Sequence, residues 1–102
     1  MHALGASVSA IDGATARELQ LPSDVHGVLV TGTEDGTAAA THLMTPDAGG
    51  PDIILSVEGT AVQTPDQLRS ALAKYKAGDL VSVRVYNVPA KSKRIERIRL
   101  AK

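Results

Sequence analysis

The sequence predicts a small α+β domain, a barrel-like sandwich of five to six short strands with two helices and one further helical turn. Three observations carry this. The apolar residues of Leu4 to Ile11 and of Leu80 to Tyr86 alternate with polar ones, the period-two pattern of half-buried strands. Asp52-Ile53-Ile54-Leu55-Ser56-Val57-Glu58-Gly59 packs its large apolar residues between Pro51 and Gly59, too short for a stable helix and fitting a strand covered on both faces. Thr64-Pro65-Asp66-Gln67 has a threonine cap, a proline at the first helical position and a glutamine able to reach back, an N-terminal helix signature.

Taken in order, the first strand carries Leu4, Ala6, Val8 and Ala10 on one face, with Gly5, Ser7 and Ser9 on the other. Asp12 caps a helix over Gly13 to Gln20 that turns Ala16 and Leu19 inward. Gly27 to Thr31 is a second strand, rich in β-formers. Thr37 caps a short helical turn from Ala38 to Leu43, and Met44 to Pro51 is a loop. The central strand follows, then the Glu58-Gly59 turn and a short strand at Ala61-Val62. The helix from Pro65 to Lys76 gathers Leu68, Ala71, Leu72 and Tyr75 into one apolar stripe, with Asp66 at its positive end and Lys74 and Lys76 at its negative end. Val81, Val83 and Val85 point inward from the next strand. Asn87 to Arg94 reads as a hairpin loop, and Ile98 and Leu100 share the inner face of the last strand. Ile95 has the opposite parity, which requires either a bulge or an outward isoleucine.

A chain of 102 residues suffices for one domain. It has no Phe, no Trp and no Cys, so the core must be aliphatic and thiolate chemistry is excluded. Eleven Lys and Arg balance eleven Asp and Glu, which implies no long-range steering of nucleic acid. No apolar run approaches the ~20 residues of a membrane span, and no signal peptide is read at the start, so the chain is expected to be a fragment excised from something larger. His2, His26 and His42 lack ligand-like spacing, and neither a metal nor any other cofactor is expected. Lys91, Lys93, Arg94, Arg97 and Arg99 form a basic patch read as a solvated hairpin. No Gly-x-Ser-x-Gly setting or convergent carboxylate pair marks a catalytic residue, so none is assigned.

Gly36-Thr37-Ala38-Ala39, Pro51 to Gly59 and Thr64 to Leu68 together resemble a bacterial-type PDZ domain, and Leu4-Gly5-Ala6 ahead of them resembles the strand order of HtrA/Deg-type serine proteases. The likeness extends over nearly the whole chain. Ala6 is smaller than the family's residue, His42 stands in place of Gly and Glu58 in place of Asn, and the Met44 to Pro51 loop is longer. The resemblance implies a PDZ-like sandwich that binds C-terminal or extended hydrophobic segments by adding them as a strand. On that reading the Leu4, Gly5 and Ala6 amides receive the peptide carboxylate, Ser7, Val8, Ser9 and Ala10 complete the receiving strand, and Leu68, Ala71 and Leu72 form the opposite wall. The small Ala6 is expected to leave a deep pocket for a large terminal side chain. The resemblance further implies a parent serine endopeptidase that is homo-oligomeric and periplasmic or envelope-associated, with misfolded-protein C-termini as partners. A PDZ domain of a membrane metalloprotease or C-terminal processing protease, and a purely structural PDZ domain, remain as alternatives.

Overall fold

The computed structural model describes residues 4–47 and 49–100, so His2 lies outside it. Its elements run β1 (Ala6–Ala10), α1 (Gly13–Glu18), β2 (Val28–Thr33), α2 (Ala38–His42), β3 (Asp52–Val57), β4 (Thr60–Ala61), α3 (Pro65–Leu72), β5 (Leu80–Asn87) and β6 (Ser92–Arg99). The strands form one antiparallel sheet in the order β1-β2-β3-β5-β6, with β4 paired to β3. Leu4 and Ala6 at one edge and Ile98 and Leu100 at the other belong to a single apolar cluster, so the sheet rolls around its core. The result is the α+β sandwich expected, with the helical turn at Ala38 forming a third short helix.

The core follows from the strand alternation. Val81, Val83 and Val85 are fully buried beside Ile54, Val57, Val28 and Val30. Leu68, Ala71 and Leu72 of α3 close over them, with Tyr75 packed at the margin. On the other side of the sheet Val25, Ile53 and Tyr86 form a smaller cluster.

Caps set the helix starts. Thr64 Oγ1 accepts from the Gln67 amide at 3.0 Å, and Gln67 Oε1 accepts from the Gln63 amide at 2.7 Å. The glutamine therefore reaches one residue beyond the cap, a variation on the reciprocal box. α3 ends at Leu72, four residues before the expected Lys76; Arg69, not Lys74 or Lys76, is the basic residue of its last turn. α1 is also shorter than expected, and Ala16 and Leu19 are only half-buried. Ala10, expected inward, is exposed at the end of β1. The β5–β6 ladder extends from Leu80↔Arg99 to Asn87↔Ser92 without a register shift, so the expected loop contracts to a tight turn and Ile95 points outward with no bulge.

At the β3–β4 turn Glu58 and Gly59 both have positive φ, 49° and 82°. Such a pair matches the twist of a tight hairpin. Glu58 occupies this unfavourable region while its Oε1 accepts from the Ser82 amide at 2.6 Å.

Asp12 caps α1 by accepting from the Thr15 amide at 2.7 Å. That bond to the backbone, with the Thr15 side chain next, holds the Asp12 carboxyl below its ordinary pKa. The folded state favours the ionised form, so this contribution to stability is complete above the ordinary Asp value and disappears as the pH falls through the lowered one. A carboxyl titration by NMR is expected to give Asp12 a midpoint below that of the unfolded chain, with α1 amides following the same curve. Asp12→Asn is expected to abolish that dependence while retaining the cap.

Candidate functional site

The site expected at the amino end is built by the β1 edge, the turn preceding it and α3. β1 pairs with β2 from Ala6↔Thr33 to Ala10↔Val28, with a register shift between Ser7 and Val8. On its other side no strand pairs with it among the described residues. α3 lies against β1 and β3. An unpaired edge beside a helix leaves backbone donors and acceptors that an added strand can satisfy.

Gly5 makes the turn into this edge. Its φ is +85°, a region that L side chains rarely enter, and a Cβ there would lie 2.8 Å from both Cβ and Oγ1 of Thr37. The turn is braced from the same side: the Glu34 amide donates to the Gly5 carbonyl at 2.8 Å, and Thr37 Oγ1 donates to the Glu34 carbonyl at 2.7 Å. Thr37 also caps α2, so one residue fixes both the loop and the helix.

The sequence-predicted residues divide into two groups. Ser7, Val8, Ser9 and Ala10 lie along the free edge and are exposed or half-buried. Leu4, Ala6, Leu68, Ala71 and Leu72 are between 1% and 7% exposed and join the main core. Ala6, the residue expected to leave a deep pocket, is 1% exposed and belongs to the main core cluster.

The basic patch does not stay together. Arg94 shares the parity of Ile98 and Leu100 and turns inward, correcting the reading of it as part of a solvated hairpin. Its Nη1 and Nη2 donate to Asp52 Oδ1 and Oδ2 at 3.1 and 2.7 Å, and its Nη2 also donates to the His42 carbonyl at 3.0 Å. Asp52 is 0% exposed and also accepts from Asn87 Nδ2 at 2.9 Å and the Met44 amide at 2.9 Å. Glu96 bridges Arg94 Nε and His42 Nδ1. The bonds to Asp52 are the main cause holding the Arg94 guanidinium above its ordinary pKa. This network joins the end of α2 to β3, β5 and β6. The strand parity was its sequence signal.

The PDZ domain profile matches residues 3–95. The chain belongs to the PDZ domain family. Among solved structures, this PDZ domain is similar to the HtrA-type protease AlgW with decapeptide, at 21% identity and a TM-score of 0.76, covering 96% of this chain and 28% of that one. A variant of the same protease, also with decapeptide, matches at 21% identity and a TM-score of 0.75 over the same shares. The PDZ domain thus spans little more than a quarter of the length of those proteins. No curated protein matches it in sequence.

Proposed function

We propose that this PDZ domain captures extended peptide segments ending in a free C-terminus, and serves as the substrate-recognition or regulatory domain of an HtrA/Deg-type serine protease. The observation that carries the reading is the unpaired β1 edge beside α3. The peptide adds as a strand along Ser7, Val8, Ser9 and Ala10, and its carboxylate is received by the amides of Leu4, Gly5 and Ala6. Leu68, Ala71 and Leu72 take the terminal apolar side chain. The likeness to a protease structure with decapeptide supports both the peptide ligand and the protease parent.

The domain itself carries no catalytic residue on this reading. The chain is one domain of a larger, homo-oligomeric serine endopeptidase of the periplasm or cell envelope, acting on unfolded-protein C-termini, with neither nucleic acid nor membrane insertion involved.

Calorimetry with a hydrophobic peptide tests this. Charge-assisted hydrogen bonds contribute about 1.5–3 kcal/mol, so amidating the peptide's C-terminus is expected to weaken binding by roughly ten- to a hundredfold. Equal binding of the free and amidated forms rejects carboxylate capture. Binding of neither supports a purely structural PDZ domain.

A further inference from the structure

The outer face of the sheet is covered in part by Ile11, Leu21 and Val25 from the segments flanking α1. Val25, Ile53 and Tyr86 pack there, and Leu55 lies at the margin of the cluster. Beyond Leu55 the face is open. Arg84 lies opposite Ile95 in the β5–β6 ladder, Ser82 opposite Arg97, and Leu80 opposite Arg99. Arg84 is therefore diagonal to both Lys93 and Arg97 on one face, at the ~7–8 Å spacing that long side chains span. Among the described residues Arg84 and Arg97 form no ion pair. Lys93 has only the exposed Asp24 at 3.6 Å, and Arg99 donates to the Gly78 carbonyl at 2.8 Å. Ile95 stands among these cations at 61% exposure. Ile95 also lines a concavity of about 580 Å³ together with Leu55, Ala61, Arg84, Lys93 and Asp24.

Two carboxylates border this patch, Asp24 beside Lys93 and Glu58 at the Ser82 amide, and Arg84 and Arg97 next to Ile95 are the cations left without an ion pair among the described residues. We propose that the open outer face of β3, β5 and β6 docks an acidic segment of another protein, whose carboxylates meet Arg84 and Arg97 while an apolar side chain between them rests on Ile95 and Leu55. Charge complementarity selects this occupant. Nucleic acid lacks a stacking platform here, since Tyr86 is buried at 5% exposure. A lipid surface lacks an apolar stripe to enter, with Ile95 and Leu80 the large apolar residues exposed near the patch. The surface lies across the sheet from the β1–α3 edge and does not depend on peptide capture there.

The probe is a peptide of alternating Glu and Leu, acetylated at one end and amidated at the other so that it has no terminal carboxylate, titrated into the isotope-labelled domain. Amide signals of Leu55, Arg84, Ile95 and Arg97 are expected to move while Gly5 to Val8 stay in place. Raising the salt from about 50 mM to about 500 mM is expected to weaken binding roughly tenfold, because the charges are exposed and screened. The Arg84→Glu/Arg97→Glu variant, whose side chains lie in solvent, is expected to keep its dispersed spectrum and lose about tenfold in affinity. The proposal is overturned by shifts confined to β1 and α3, by equal binding of a Lys-Leu peptide, by unchanged affinity in the charge-reversed variant, or by no binding at millimolar peptide. It is equally overturned if the same signals respond to anionic vesicles but not to the peptide, or to protein concentration alone.

Discussion

Arg94→Met is expected to lower the unfolding free energy by about 3–5 kcal/mol, because it leaves the Asp52 carboxylate buried without its countercharge. For a domain of this size that corresponds to a fall in Tm on the order of 20 °C. Asn87 and the Met44 amide still donate to Asp52, but two neutral donors do not replace a bidentate guanidinium. The effect should be specific to charge rather than to lost packing. Asp52→Asn in the Arg94→Met background removes the uncompensated carboxylate while keeping a polar group for Asn87 and Met44, and is expected to recover about half the loss. Thermal unfolding of the two single variants and the double variant measures this. A double variant no more stable than Arg94→Met would show that the pair's geometry, rather than the desolvated charge, sets the cost.

That network is the least legible part of the molecule in its sequence. Strand parity was legible: Val81, Val83 and Val85 alternate, and the structure buries all three. The same rule carried from Ile98 back to Arg94 and Glu96 places both inward, yet a run of cations reads as solvated until a buried partner is known. That partner, Asp52, lies 42 residues away, and only the β3–β5–β6 pairing brings it into range. Helix starts were legible because Asp12, Thr37 and Thr64 cap through bonds three residues on. The end of α3 was not, because the apolar stripe continues to Tyr75 after the helical backbone stops at Leu72. At the candidate site the edge strand and the glycine turn were visible in sequence. The burial of Ala6, Leu68 and Leu72 in one core cluster was not, since it depends on how α3 settles on the rolled sheet.

Gly5→Ala tests whether the braced turn is the part of the molecule that receives a carboxylate. Two costs combine at this position. An L residue at φ +85° loses about 1–2 kcal/mol, and a Cβ 2.8 Å from Thr37 must push either the loop or the start of α2 aside. Together about 2–3 kcal/mol of destabilisation is expected, small enough for the domain to stay folded. The costs separate in a Thr37→Gly background, which removes the clashing atoms; glycine at a cap loses only a few tenths of a kcal/mol relative to the native cap. There the Gly5→Ala penalty should shrink by at least about 0.5 kcal/mol, leaving the dihedral cost. Peptide affinity gives the second reading. Carboxylate capture needs amides aimed at one point, and a loop displaced by a few tenths of an ångström no longer aims them. Gly5→Ala is therefore expected to weaken a free-carboxylate peptide by at least about tenfold while changing the amidated form little, which erases the difference between the two. A folded Gly5→Ala domain that still prefers the free carboxylate would move that contact away from Leu4, Gly5 and Ala6, even if β1 continued to receive the strand.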